Sequence, residues 1–104
     1  MERVAFVMKV RPGQEAEYRR RHEAVWPEML RALKKAGCSN YSIYMKGQAL
    51  FAYMEVADFE RFKRHMSADA DAQRWEAQMA PIMDQAIRPE TGFHEVLAEV
   101  FHLD

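Results

Sequence analysis

The sequence predicts an α+β domain in which helices pack on one face of an antiparallel sheet. Its 104 residues fall below the usual size of two domains, so one domain spanning residues 1–104 is expected. The patterned segments follow the order strand, helix, strand, strand, helices, strand. This order is typical of the split βαβ arrangement.

The first part of the chain is predicted to form a strand and a long helix. Residues 3–10 are apolar at both parities, as in a strand that is covered on both faces. Pro12-Gly13 predicts a turn. Residues 14–36 then carry apolar side chains at helical spacing, and Gly37 is typical of a helix stop. Because Pro27 lacks an amide hydrogen and its ring crowds the preceding turn, we expect a kink there.

The rest of the chain is predicted to form a hairpin, further helices and a last strand. Asp58 is a typical N-cap residue and predicts where the first of these helices begins. The predicted elements are strands at 41–45 and 49–56 around a turn at 46–47, a short helix through Phe59, Phe62 and Met66, a helix from about 70 to 83 broken near Pro81, a loop at 88–92, and a strand at 93–101.

Two of these strands predict association of the chain with a second copy. The segments at 3–10 and 49–56 are apolar on both sides, but helices from a chain this short can cover only one face of the sheet. An uncovered apolar face is an association site. We therefore expect a homodimer in which sheet packs against sheet.

Composition argues against several classes of protein. Lys and Arg total 15 and Asp and Glu total 16, so the basic excess typical of nucleic-acid binding is missing. Cys38 is the only cysteine, so no internal disulfide is possible. The first residues are too polar for a secretory signal, and no apolar run approaches the length of a membrane span. We expect a cytoplasmic protein with no membrane partner and no nucleic-acid partner.

The common cofactor and metal motifs are incomplete in this chain. Clustered glycines for a phosphate or dinucleotide are missing. His22-Glu23 and His94-Glu95 begin the His-Glu-x-x-His zinc pattern, but the fifth positions are Trp26 and Ala98. We therefore expect neither a phosphate or dinucleotide site nor a zinc site of this pattern.

Tyr18 and His22 are the strongest candidates for a site. They lie one helical turn apart, on the stripe expected to face the sheet. A histidine there usually has a structural role, but these neighbours are amphipathic and Pro27 lies just beyond. Aromatic side chains with polar tips suit a small polyhydroxylated ligand, because ring faces pack on C–H groups and hydroxyls form hydrogen bonds.

Several segments together resemble the L-rhamnose mutarotase family nearly end to end. The stretches His-x-x-Val-Trp-Pro-Glu and Asn-Tyr-Ser-Ile-Tyr are specific in combination. The segments that carry the resemblance are Phe6-Val7-Met8-Lys9-Val10, Tyr18-Arg19-Arg20-Arg21-His22, Val25-Trp26-Pro27-Glu28, Asn40-Tyr41-Ser42-Ile43-Tyr44, Gln73-Arg74-Trp75 and Glu99-Val100-Phe101-His102-Leu103.

The resemblance implies a dimeric α/β barrel of ferredoxin-like protomers that interconverts the α and β anomers of L-rhamnose without a cofactor. It implies that His22 is the proton donor and that Tyr18, Tyr41 and Trp75 contact the sugar. One position departs from the pattern: Glu76 stands where the family pattern has the second residue of a Trp pair. We expect Glu76 either to hydrogen-bond the sugar or to face solvent.

Two other functions remain open from the sequence. Dimeric α/β barrels also include haem-binding proteins and small monooxygenases, and His22 would then be an axial haem ligand. A non-catalytic sugar sensor would use the same cavity without turnover. For the mutarotase, the partner base of His22 is unassigned, with Glu28 and Glu76 as candidates.

Overall fold

The computed structural model describes residues 1–84 and 92–104. Within these ranges a four-stranded antiparallel sheet and four α-helices confirm the predicted α+β class. The elements are β1 (Glu2–Lys9), α1 (Glu15–His22), α2 (Pro27–Lys35), β2 (Cys38–Lys46), β3 (Ala49–Val56), α3 (Phe59–Ala68), α4 (Ala70–Met79), a 3-10 turn (Ala80–Ile82) and β4 (Glu95–Leu97). No helix in the described ranges is long and apolar enough to span a membrane.

The sheet has the strand order β2-β3-β1-β4, as the split βαβ arrangement requires. β1 pairs with β3 from Glu2↔Val56 to Lys9↔Ala49, and β2 and β3 form the predicted hairpin. Alternate side chains of the central strands point towards the helices and form the core. The buried members from β1 and β3 are Val4, Phe6, Met8, Leu50, Ala52, Met54 and Val56.

Burial of these apolar side chains holds the helices on one face of the sheet. Complete burial of a side chain such as Leu50 or Met54 contributes about 1.5–3 kcal/mol. Met29 and Ala32 of α2, and Phe62 of α3, are buried in the same cluster. The helices therefore lie over this face and leave the opposite face of the sheet without cover from the described residues.

The predicted single helix over 14–36 is wrong: the structure has two helices, α1 and α2. Pro27 is the first residue of α2, where its missing N–H costs nothing, rather than a kink inside a continuous helix. Trp26 precedes the proline and is extended, with φ −56° and ψ 137°. Pro27 thus starts α2 after α1 has ended at His22, while Gly37 ends α2 as predicted, with φ 84°.

The predicted strand over 93–101 is also wrong in length, since β4 covers only Glu95–Leu97. β4 has one neighbour, β1, and pairs with it from Ala5↔Leu97 to Val7↔Glu95. An alternating pattern shows which faces a segment would present, but a strand also needs a neighbour that accepts its hydrogen bonds. The helix predicted over about 70–83 with a break near Pro81 is α4, which ends at Met79 and is followed by the 3-10 turn Ala80–Ile82, so the break is confirmed. The predicted loop at 88–92 lies outside the described residues except for Gly92.

Candidate active site

One large cavity, of about 750 Å³, lies between the helix-covered face of the sheet and the helices. This volume is typical of a site for a small molecule. Its wall is mostly apolar and includes Met8, Val25, Met29, Leu30, Leu33, Ile43, Met79, Ala80 and Met83. The polar and aromatic lining residues are Arg11, Tyr18, His22, Tyr41, Trp75, Glu76, Asp84 and His94. All five residues singled out from the sequence therefore line the same cavity.

His22 is the last residue of α1 and is held by its own helix. Its Nδ1 lies 3.0 Å from the carbonyl oxygen of Tyr18, and its ring stacks on the Tyr18 ring with centroids 4.1 Å apart. Because a carbonyl oxygen only accepts hydrogen bonds, Nδ1 carries the hydrogen, and the neutral ring presents its lone pair at Nε2. Burial lowers the pKa of His22, although the bond to Tyr18 opposes this. The neutral imidazole is therefore favoured.

Trp75 packs against His22 from α4. Its ring meets the His22 ring edge to face at 5.5 Å and the Trp26 ring at 5.2 Å. The side chain is only 7% exposed. Trp26 occupies the extended residue between α1 and α2, so the break at Pro27 positions an aromatic contact for Trp75. These rings restrict the imidazole to one orientation.

A β-bulge places Tyr41 in the cavity. Between Ser39 and Ser42 two residues of β2 face one residue of β3, and Asn40 has φ 48°. Asn40 is fixed there because its Nδ2 donates to Oε1 of Glu55 at 2.8 Å. The extra residue turns Tyr41 towards the helices, whereas Ser42 is exposed.

The hydroxyl groups of Tyr18 and Tyr41 are held in the protonated state. Burial raises the pKa of both, and the nearby carboxylate of Glu76 raises it further. Neither hydroxyl has a hydrogen-bond partner among residues 1–84 and 92–104. Both are therefore able to donate to a ligand in the cavity.

Glu76 also lines the cavity. Within the described ranges its carboxyl group makes no ion pair or hydrogen bond. The residue is exposed to solvent, and partial burial of its carboxyl group raises its pKa. Of the two expectations for this position, a group that is available to a bound ligand fits this geometry.

Glu28, the other candidate for the partner base, lies elsewhere. It is in the first turn of α2, 3.9 Å from Arg31, and lines a smaller separate groove with Arg74. A group used in the reaction must reach the reacting proton directly or through one water. The structure therefore separates the two candidates and leaves Glu76 in the cavity.

His94 is a cavity residue that the sequence did not single out. Its ring stacks on Phe6 at 5.5 Å and meets Phe93 at 5.1 Å. Nδ1 is buried without a partner among the described residues, and burial lowers the pKa of the imidazole. The zinc pattern considers only residues close to His94 in the sequence. Its approach to the cavity depends instead on the pairing of β4 with β1.

The described residues contain no cluster of three or more His, Cys, Asp or Glu side chains that could hold a metal ion. Cys38 is buried, and burial raises the pKa of its thiol to about 11, so the thiolate is disfavoured. The polar groups that line the cavity include two imidazoles, two phenols, two carboxyl groups and a guanidinium. Such a set can bind hydroxyl groups and move protons.

Comparison with known proteins identifies a family that matches nearly the whole chain. The family model described as L-rhamnose mutarotase matches residues 3–103. The L-rhamnose mutarotase of Listeria monocytogenes serotype 4b is 47% identical over 80% of this chain and 81% of its own. That of Oceanobacillus iheyensis is 39% identical, with both chains fully covered.

A solved structure shows the same fold. The crystal structure of an L-rhamnose mutarotase from Formosa agariphila covers all of both chains with a TM-score of 0.81 and 32% identity. Sequence and structure thus match from end to end. The chain belongs to the L-rhamnose mutarotase family, whose members are isomerases that interconvert sugar anomers.

Proposed function

We propose that this chain interconverts the α and β anomers of L-rhamnose by opening and reclosing the sugar ring. The observation that carries the proposal is the cavity lined by His22 and by Tyr18, Tyr41 and Glu76, whose side-chain oxygens have no hydrogen-bond partner within residues 1–84 and 92–104. A ligand rich in hydroxyl groups would satisfy them. The curated relatives, named L-rhamnose mutarotases, support this sugar.

The reaction needs proton transfer at two oxygen atoms. Ring opening delivers a proton to the ring oxygen and removes one from the anomeric hydroxyl. The C1–C2 bond then rotates, and the ring closes on the other face of the carbonyl. His22 takes part in one of these proton transfers, because imidazole titrates near neutral pH. A positioned acid or base of this kind accelerates a reaction by about 10²–10⁴-fold.

The neighbouring side chains are suited to hold the sugar. The protonated hydroxyls of Tyr18 and Tyr41 donate to sugar oxygens, and Glu76 hydrogen-bonds a sugar hydroxyl. Trp75 supplies an apolar surface for the C–H groups. The apolar remainder of the wall would face the methyl group of the 6-deoxy sugar.

We further propose that the chain works as a cytoplasmic homodimer. The outer face of the sheet carries a band of large side chains on neighbouring strands, with pairs Tyr44↔Phe51 and Val7↔Phe51. Tyr44 is 67% exposed and Phe51 is 45% exposed. A second copy that presents the same face would cover this band, and two-fold symmetry makes one patch serve both subunits.

Magnetisation-exchange NMR on L-rhamnose tests the catalytic proposal. We expect the protein to accelerate exchange between the anomer signals and His22→Ala to lower that acceleration by about 10²-fold or more. His65→Ala is the matched control, because it removes an imidazole of α3 that does not line the cavity. Unaltered exchange in His22→Ala would exclude His22. Saturable binding of the sugar without exchange by the unmodified protein would indicate a sensor instead.

A further inference from the structure

We infer that Glu76 is the second proton-transferring group of the site, with its carboxyl group protonating the ring oxygen while Nε2 of His22 accepts the anomeric proton. This assignment rests on the proposed mutarotase function and deepens it. It makes Glu76 a catalytic residue rather than only a contact to the sugar. It also gives His22 the role of base in ring opening.

Few of the side chains that line the cavity can exchange a proton at neutral pH. The ionisable side chains that line the cavity in the described ranges are Arg11, Tyr18, His22, Tyr41, Glu76, Asp84 and His94. Arginine keeps its proton, and the two tyrosines keep theirs because burial raises their pKa. Only the carboxyl and imidazole groups remain.

The hydrogen bond at Nδ1 decides whether His22 donates or accepts a proton in ring opening. The bond from Nδ1 to the Tyr18 carbonyl leaves Nε2 as the free nitrogen of the neutral ring. An acid role in ring opening would need the imidazolium, and burial disfavours that cation. His22 is therefore arranged to accept a proton, so the acid has to be a different group.

The other candidates for the acid of ring opening differ in their surroundings. Asp84 forms an ion pair with Lys9, with its Oδ2 3.8 Å from the ammonium nitrogen. His94 is neutral for the same reason as His22, since burial lowers its pKa. Glu76 differs from both: its carboxyl group has no cation or hydrogen-bond donor beside it in the described ranges, and burial raises its pKa.

Protons and bonds balance over the reaction cycle. Nε2 of His22 removes the proton from the anomeric hydroxyl, that oxygen forms the carbonyl, the C1–O bond of the ring breaks, and the ring oxygen takes the proton of Glu76. The open-chain aldehyde rotates about C1–C2. On closure the ring oxygen attacks the other face, the Glu76 carboxylate takes back its proton, and the imidazolium returns a proton to the carbonyl oxygen. Both side chains end in their starting states.

Glu76→Gln is the first test, measured as anomer exchange of L-rhamnose over a range of sugar concentration and pH. The amide keeps the size and hydrogen bonds of the carboxyl group but has no transferable proton. We expect kcat to fall by about 10²-fold with little change in KM. In the unmodified protein, exchange slows as rising pH ionises Glu76. This alkaline limb should be missing from the residual activity of the variant.

Chemical rescue supplies the second test. Glu76→Ala opens space beside the sugar, and added formate buffer should restore exchange in proportion to its concentration, more strongly as the pH is lowered. Formate should not restore His22→Ala. Gln78→Ala, an exposed position of the same helix, is the control and should match the unmodified protein. Circular dichroism checks that each variant is folded.

Several results would overturn the assignment. A Glu76→Gln variant with unchanged kcat and a raised KM would show that Glu76 only binds the sugar. An unchanged pH profile, or a Glu76→Ala variant that is folded and insensitive to formate, would show the same. If the unmodified protein failed to accelerate exchange at all, the proposed function itself would fail, whatever the variants do.

Discussion

At the scale of single residues, helical spacing was sufficient to find part of the site. Tyr18 and His22 share a helix face at any position of α1, so their proximity follows from the sequence. Tyr41 is different, because its direction depends on a bulge, which is a property of the pairing of β2 with β3. The position of Glu76 and His94 at the cavity could not be predicted from spacing, since the cavity beside them is formed by other elements.

His94 leads to a stability prediction at this scale. Its pKa is lowered in the folded protein, so the unfolded chain binds a proton more readily as the pH falls through about 6.5. Folding stability contributed by the neutral ring is present above that pH and is lost as the pH falls towards the folded pKa. We expect the free energy of unfolding to decrease from about pH 7 to about pH 5.

His94→Phe should reduce that dependence. The phenyl ring keeps the stacking on Phe6 and removes both the titration and the unpartnered Nδ1, a buried defect that costs about 1–3 kcal/mol. Urea unfolding at several pH values measures the effect. The lowered pKa of His22 makes the free energy of unfolding fall with pH in the same direction. Because His22 is present in both proteins, the difference between their pH profiles reports on His94. Identical pH dependence in the two proteins would contradict the prediction.

At the scale of elements, local signals fixed the ends of helices better than their continuity. Asp58 was predicted to cap α3, and its Oδ1 accepts from the backbone N–H of Arg61 at 3.0 Å. Periodicity over 14–36 continued across Pro27 because both helices place their apolar residues against the same sheet face. A pattern of this kind shows which face is buried. It does not show where the backbone turns, which in this chain depends on the proline ring and the extended Trp26.

The cap of α3 predicts a change in stability without a change in activity. Asp58→Ala should lower the free energy of unfolding by about 1 kcal/mol, because the N–H of Arg61 loses its acceptor. α3 contributes no lining residue to the cavity, so anomer exchange should be unchanged in the folded variant. Asp58→Asn keeps an acceptor and is the control. Thermal unfolding and NMR exchange measure the two effects, and loss of exchange in folded Asp58→Ala would disagree.

At the scale of the whole molecule, the sequence identified an apolar sheet face that the described residues leave uncovered. Apolar side chains in the last residues are also uncovered: Val100 is 94% exposed and Phe101 is 79% exposed. The segment after β4 has an alternating pattern but pairs with no strand within the described ranges. Its Glu99 forms an ion pair with Arg3, with 2.8 Å between Oε1 and Nη2. A strand pattern without a strand partner and a sheet face without cover both favour a second copy of the chain.

Sedimentation analysis tests the dimer. We expect the protein to sediment at twice the 12.2 kDa mass of one chain and Phe51→Glu to shift it to monomer. The reason is that the charge would lie in the middle of the outer face, beside Tyr44 and Val7, and would lose its hydration if a partner covered it. Ala70→Glu adds the same charge at an exposed position of α4 and should remain a dimer. A monomeric unmodified protein would show that the outer face is not covered by a second copy. A Phe51→Glu dimer would place the interface on another surface.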